Sequence, residues 1–407
     1  MTSLTGAGAL RAHVDGAVAE RAAVSERYFA TEADRIARLC HAMAERFARG
    51  GRLIAIGLSD AALSDVHHVA VEFVHPVIVG KRALPALALV ASPAALAGRV
   101  GLLALPDDMV IAFGEPDESG LDGAVSAARA AGALTIAFAA LGAEWELDPP
   151  TPDPLIRQEL VETAYHVLWE LVHVFFEHRG LLGGRTSRPS HDAGASSFLY
   201  PFLNESETDL AGVLADVRES VLMKAREVES LREQTVRESA NVLVAAAVAL
   251  RRAFERGGTV LALGNGGSAT DAMDFVADLA RPLPSGAGVP RRALDLSADP
   301  AIVTAIANDI GPQAVFTRQV IAYGGVGDAL IAFSTSGDSR SVIDALTEAR
   351  RRGLVTIALV GYDGGRVASE GLADHLIVSR SQHIPRIQEA HATASHLLRE
   401  LIELERP

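Results

Sequence analysis

The chain states one order of elements twice. Residues 50–113, 132–138 and a helical stretch at 158–166 run in the same order as residues 257–333, 353–359 and 388–396. A repeat of this length is the repeat of a fold and not of a short motif, because each copy carries enough apolar sequence for a core of its own. The 407 residues divide into two α/β domains of about 200 residues each.

Each copy opens with a helical arm. In the first, Val24, Tyr28, Ile36, Leu39, Met43 and Phe47 recur at helical spacing up to the pair Gly50-Gly51, as one long helix or two. In the second, Leu210, Val213, Val217 and Val221, then Val236, Ala240, Leu243 and Ala247, do the same up to Gly257-Gly258. After each arm comes a short apolar run closed by glycine, Leu53-Ile54-Ala55-Ile56 before Gly57 and Val260-Leu261-Ala262-Leu263 before Gly264. Runs without polar alternation are the mark of strands covered on both faces. Further strands are expected at 109–113 and 329–333 and at 134–138 and 355–360, with helices at 121–131 and 341–352 between them. Strand, helix, strand in repetition predicts a doubly wound parallel sheet, three-layer αβα, in each copy. Residues 1–183 form the first domain, 206–407 the second, and 184–205, rich in Gly, Ser, Pro and Arg, a linker. In such sheets ligands sit at the carboxyl ends of the strands, which directs attention to the loops after Leu263 and Phe333.

Composition narrows the function. With 49% hydrophobic residues, 36 glycines and 5% aromatics the chain is a packed Ala/Val/Leu protein. A net charge of -14 repels a nucleic-acid backbone or an anionic membrane surface, so neither is an expected partner, and an anionic ligand has to be held by a local site. There is no helix-turn-helix candidate and no basic patch. Cys40 is the single cysteine and cannot form an intramolecular disulfide, and no signal-peptide pattern precedes the first helix. A reducing cytoplasm is the expected address. Residues 83–106 are broken by Pro85, Pro93 and Arg99 and are expected as strand and helix, not as a membrane span.

Ser334-Thr335-Ser336-Gly337-Asp338-Ser339 places four hydroxyls in front of a helix. Side-chain donors, free backbone N–H groups and the helix dipole together suit a phosphate dianion; a polar N-cap turn, the alternative, needs only one hydroxyl. Gly264-Asn265-Gly266-Gly267-Ser268 also enters a helix and lets backbone approach a ligand. The first copy differs at both places. It has Gly57-Leu58-Ser59-Asp60 and Gly114-Glu115-Pro116-Asp117-Glu118-Ser119, whose carboxylates repel a phosphate.

Gly264-Asn265-Gly266-Gly267-Ser268-Ala269, Ala305-Ile306-Ala307-Asn308-Asp309, Ser334-Thr335-Ser336-Gly337 and Arg386-Ile387-Gln388-Glu389-Ala390-His391 together resemble the SIS (sugar isomerase) domain of the sedoheptulose-7-phosphate isomerase, or phosphoheptose isomerase, family. The resemblance covers nearly all of residues 206–405. It implies conversion of a ketose phosphate into an aldose phosphate through an enediolate. It also implies tetramers of single domains, hence a homodimer of this chain holding four SIS domains, of which the first in each chain is degenerate and lacks the phosphate loop. Phosphate contacts fall on Ser334, Thr335, Ser336 and Ser339, and sugar contacts on Asn265, Ser268, Asp309 and Gln388.

Such chemistry needs a base to take a proton beside the carbonyl and an acid or metal to stabilise the enediolate. In the family a His and a Glu four residues apart, with a Gln and a His eight apart on the last helix, surround a zinc ion, and the Glu and the second His are the proton-transfer pair. Both spacings return to one helix face. The second copy keeps Gln388 and His396 but has Asp274 and Asp278 for the first pair, so the resemblance makes Asp278 and His396 the catalytic pair. Asp is shorter than Glu by a methylene, roughly 1.5 Å, and an error of ~1 Å at a catalytic group costs on the order of a hundredfold. Replacing His by Asp also turns the site toward harder metals such as Mg²⁺ or Mn²⁺. The first copy carries His68, Glu72, Gln158 and His166 at the family's spacings. A divalent metal, zinc in the family, is therefore expected on His68, Glu72, Gln158 and His166, or alternatively on Asp274, Asp278, Gln388 and His396. Plain readings exist as well: half-buried histidines at His67 and His68, a solvated Glu72, and a chance spacing among His166, His173 and His178. Three functions remain open, an isomerase, a sugar-phosphate sensor or accessory factor that binds without turnover, and a first copy that serves only as a structural partner.

Overall fold

The structure, a computed structural model, describes residues 2–77, 81–115, 118–177, 209–283 and 288–404. The expected linker at 184–205, His178, and Pro116 and Asp117 of the first copy's acidic loop lie outside them. Each arm is a single helix, α1 (Thr2–Ala48) and α6 (Leu210–Glu255). The first copy continues with β1 (Leu53–Ile56), α2 (Asp60–Val74), β2 (Ala86–Leu89), α3 (Pro93–Leu103), β3 (Met109–Ala112), α4 (Leu121–Ala130), β4 (Leu134–Ala137), β5 (Trp145–Glu146) and α5 (Pro154–Glu177). The second continues with β6 (Val260–Leu263), α7 (Gly267–Leu279), β7 (Ala293–Asp295), α8 (Pro300–Asp309), α9 (Thr317–Tyr323), β8 (Ala329–Ser334), α10 (Arg340–Arg351), β9 (Val355–Gly361), α11 (Gly365–Ser369), β10 (His375–Ser379) and α12 (Ile384–Glu403). Among the described residues no helix is long and apolar enough to cross a membrane.

The strands form two five-stranded sheets, β2-β1-β3-β4-β5 and β7-β6-β8-β9-β10, parallel throughout and identical in topology. In each, the strand order reverses between the first and third strands, β1 and β3 or β6 and β8, which makes that gap the switch point of a doubly wound sheet. The compact units are not the two sequence halves. One consists of Met1–Ala23, Asp153–Glu159 and Glu227–Pro407, the other of Val24–Pro152 and Leu160–Arg226. The first turns of α1 and of α5 thus belong to the unit built on the second sheet.

Period-two burial explains why the strand runs contain no polar alternation. Val260 and Ala262, Ala329, Ile331 and Phe333, and Ile357 and Leu359 face a core made with α6, α7 and α12. Leu261 and Leu263, Leu330 and Ala332, and Ala358 and Val360 face the other core, made with α9 and α10. Both faces are dry, as a parallel sheet between helix layers requires.

The glycine pair that closes each arm has one physical cause in both copies. Gly50 and Gly257 stand at φ 95° and 78°, the left-handed turn that ends a helix. A Cβ on Gly51 would lie 1.9 Å from the Asp107 carbonyl oxygen, and one on Gly258 2.3 Å from that of Gly327. The next residue of each approaching loop is an aspartate that ties the sheet together. Asp108 accepts from the Arg52 N–H at 2.8 Å, the Leu105 N–H at 3.0 Å and the Arg52 guanidinium at 2.6 Å. Asp328 accepts from the Thr259 N–H at 2.8 Å and the Gly325 N–H at 2.9 Å.

Burial raises the Asp108 pKa, but the Arg52 guanidinium and the two backbone N–H donors outweigh it and hold the carboxyl below its ordinary value. A group depressed in the folded state stabilises the fold above its unfolded pKa of about 3.9 and loses that contribution as the pH falls through the folded value. Asp108→Asn is expected to cost about 1–3 kcal/mol at neutral pH and to leave a smaller stability difference from wild type below about pH 4. Urea unfolding across pH measures both; a constant difference at every pH would remove the electrostatic account.

Candidate active site

The loops leaving β6 and β8 flank the switch point of the second sheet. Gly266 turns the first at φ 58°, and Ser268, buried in the first turn of α7, donates its N–H to the Asn265 carbonyl at 3.1 Å. The Asn265 amide donates to Ser341 Oγ at 3.1 Å, joining this loop to the start of α10. In the second loop Ser334 Oγ accepts the Gly337 N–H at 3.2 Å and Ser336 Oγ accepts the Asp338 N–H at 3.1 Å. Ser339 is the N-cap residue of α10, yet its side chain makes no capping hydrogen bond. Thr335, Ser336 and Ser339 are half-buried, Ser334 is buried, and Asp338 is exposed and receives the Arg366 N–H at 2.8 Å. The loop therefore carries more hydroxyls than its own turn consumes, at the positive end of a helix dipole. Asp309 lies exposed at the end of α8 and accepts from Asn308 at 2.8 Å.

Three helix segments of the same unit bring a second set together. On α12, His396 is fully buried; its Nε2 lies 3.2 Å from Asp274 Oδ2 and 3.5 Å from Asp278 Oδ2, both on α7. The second turn of α5 supplies two more groups: Gln158 donates from Nε2 to Asp274 Oδ1 at 2.7 Å, and Glu159 Oε1 lies 2.9 Å from His396 Nδ1. Asp278 Oδ1 accepts from Arg281 at 2.6 Å. Burial lowers the His396 pKa, but the hydrogen bonds of Asp274 and Glu159 and the charge of Asp278 carry it well above the ordinary histidine value. Burial, then the neighbouring Asp274, push Asp278 up to about 6. Gln388 is buried about two turns before His396 on the same helix. A buried imidazole facing two carboxyls can pass protons among neighbouring oxygens.

In the other unit, His68 Nε2 lies 3.4 Å from His166 Nε2 and 3.9 Å from Glu72 Oε1. The ligand atoms of His68, Glu72 and His166 all fall within 4.8 Å of one another and could hold a cation, as could those of Asp274, Asp278 and His396. The Tyr165 hydroxyl is 2.9 Å from His68 Nδ1. Burial, then the nearby His166, hold the His68 pKa well below its ordinary value. Glu72 is buried and not solvated, and His67 is half-buried. Gln158 lies in the unit of Asp274 and donates to it.

The family model of the SIS domain matches residues 225–361. A phosphoheptose isomerase from Pelodictyon phaeoclathratiforme is 46% identical over 175 residues, 42% of this chain and 82% of that protein. The chain belongs to the phosphoheptose isomerase family. Among solved structures, the C-terminal domain of glucosamine-fructose-6-phosphate aminotransferase from Francisella tularensis aligns with 95% of this chain and 94% of its own at TM-score 0.60 and 8% identity. The tagatose-6-phosphate ketose/aldose isomerase of Escherichia coli aligns with 96% and 92% at TM-score 0.56 and 13% identity. At such identities these two show a shared fold.

Sequence reasoning missed Glu159, Arg21 and Thr393. A family signature did point to the first: the Gln-Glu pair Gln158-Glu159 recurs as Gln388-Glu389. Arg21 and Thr393 carry no motif, and only the fold brings them to Glu159. Within the hydroxyl loop, Gly337 stands at φ 66° with the Gly364 carbonyl oxygen 2.3 Å from where a Cβ would be. Gly337→Ala is expected to destabilise the protein by about 1–3 kcal/mol, read as a lowered thermal midpoint; an unchanged midpoint would show that the loop relaxes freely.

Proposed function

We propose that the chain interconverts a ketose phosphate and an aldose phosphate, with sedoheptulose 7-phosphate as the substrate class. The observation that carries this reading is the buried approach of His396 to Asp278, 3.5 Å apart, in the unit whose sheet switch point bears the hydroxyl loop. Membership of a family whose relatives are named phosphoheptose isomerase supports it. On this reading Ser334, Thr335, Ser336 and Ser339 hold the phosphate with the first turn of α10, and Asn265, Ser268, Asp309 and Gln388 contact the sugar. Asp278 takes the proton from C1, the electron pair moves into the C1–C2 bond, and the carbonyl π pair goes to O2, giving the enediolate. His396 moves a proton between O1 and O2, and protonation at C2 leaves the aldehyde at C1.

A divalent cation, zinc on the family resemblance, fits His68, Glu72 and His166. Two imidazole nitrogens 3.4 Å apart match the edge of a tetrahedron about a zinc ion, about 3.3 Å for bonds near 2.05 Å. Bound there, a cation would supply a charge-neutralising clamp between α2 and α5. Asp274, Asp278 and His396 are the alternative ligands, and their oxygen-rich set suits a harder cation. The second functional reading, a sensor that binds without turnover, draws on the same aspartates, because Asp278 is engaged by Arg281.

Turnover of sedoheptulose 7-phosphate should fall about 10²–10⁴-fold in His396→Ala, while Ser334→Ala or Ser336→Ala should raise KM about tenfold to a hundredfold with a smaller change in kcat. A wild-type protein that binds the sugar phosphate but never converts it, whatever metal is added, would leave only the sensor. Metal analysis separates the two cation sites: loss of bound metal in His68→Ala with retention in Asp278→Ala is expected, and the reverse would move the metal to the second copy.

A further inference from the structure

Glu159 comes from the first copy of the repeat, yet its carboxylate meets Arg21, Thr393 and His396 in the unit of the second. Its Oε1 accepts from Arg21 Nε at 2.9 Å and lies 2.9 Å from His396 Nδ1, and its Oε2 accepts from Thr393 Oγ1 at 2.6 Å. The Glu159 carbonyl also accepts from Arg232 at 3.0 Å. The carboxylate is 1% exposed. Its counterpart in the second copy is arranged differently. Glu389 pairs with Arg386, three residues earlier on its own helix, whereas the matching position on α5 is Ile156, and Glu159 engages α1 and α12.

An ionised carboxylate only accepts hydrogen bonds, so the His396 nitrogen facing Glu159 must carry a proton. That fixes Nδ1–H toward Glu159 and turns Nε2 toward Asp274 and Asp278. Thr393, three residues before His396, and Arg21 prevent the carboxylate from rotating away. We infer that Glu159 is a positioning residue lent by the first copy: it sets the tautomer and ring orientation of His396, so that the second copy's site works only with this helix turn in place. The inference rests on the proposed isomerase reading for its kinetic consequence, though not for the hydrogen-bond arrangement itself.

Glu159→Gln keeps the side-chain shape and removes the charge. With sedoheptulose 7-phosphate as substrate, kcat should fall about a hundredfold or more with KM within about threefold of wild type, the pattern for loss of a group that orients a catalytic histidine. Because the single variant leaves Arg21 buried beside a neutral partner, the double variant Arg21→Met/Glu159→Gln is the control. It should stay as slow as Glu159→Gln, whatever its thermal midpoint, because Arg21 also pairs with Glu400. Recovery of kcat in the double variant, or an undiminished kcat in Glu159→Gln, overturns the inference and assigns Glu159 to ion pairing alone. A wild-type protein without turnover sinks the isomerase reading instead, and the inference is then decided by ¹⁵N-histidine NMR. The Nδ1-bound proton of His396, assigned against His396→Asn, should be slow to exchange in the wild type and lost in Glu159→Gln; a wild type with His396 protonated only on Nε2 overturns the tautomer assignment directly.

Discussion

A carboxylate taken out of water costs several kcal/mol unless donors replace the lost hydration, and Glu159 is a buried carboxylate that joins distant stretches of chain in the unit of the second sheet. Its donors come from two separated stretches of chain, Arg21 on α1 and Thr393 and His396 on α12, which meet the start of α5. Arg21 is itself held by Glu400 at 2.7 Å, and Glu400 by His13 at 2.8 Å. Removing one partner from such a cluster strands a buried charge, a loss of about 3–5 kcal/mol. The cluster therefore explains why Met1–Ala23 and Asp153–Glu159 belong to the unit of the second sheet even though they precede it by so much sequence.

The two copies keep the same scaffold and differ in what surrounds their buried histidines. Both end the arm on a glycine pair that admits a loop carbonyl, both use an aspartate to clamp the start of the first strand, and both sheets have one strand order. Yet His68 stands among Tyr165, His166 and Glu72, while His396 faces Glu159, Asp274 and Asp278. In the first setting burial wins and the imidazole is kept neutral; in the second the carboxylates overcome burial and the imidazole holds its proton. Duplicating a fold while changing side chains on the helices that flank its sheet is enough to give buried histidines opposite electrostatic characters in the two copies.

The central strands were legible because four uninterrupted apolar residues between glycines have few other uses, and β1, β6, β3 and β8 stand where those runs predict. Two of the edge strands were not: β7 has three residues, none of them buried, and β5 has two, too little for any periodicity. The hydroxyl loop was equally local and equally readable. What sequence spacing could not supply was the neighbour of each helix face. Gln158 and His166 are eight apart on α5, which implies a shared face, but the compact units divide between Glu159 and Leu160. Gln158 donates to Asp274, and His68, Glu72 and His166 form a cluster with Tyr165 beside it.

That division also bears on why aspartates stand in the second copy where the family pattern has histidine and glutamate. A cation placed among Asp274, Asp278 and His396 would compete with the proton on His396 Nε2, because that nitrogen is already 3.2 and 3.5 Å from the two carboxylates and Glu159 stabilises the protonated ring from the other side. In the first copy a cation meets neutral imidazole and a single carboxylate, with no proton to displace from His68. The charge on His396 is balanced from behind by Glu159, a residue of the first copy. A proton-transfer histidine and a metal-ligating histidine need opposite protonation states, and on the proposed reading His396 is set for the first and His68 for the second.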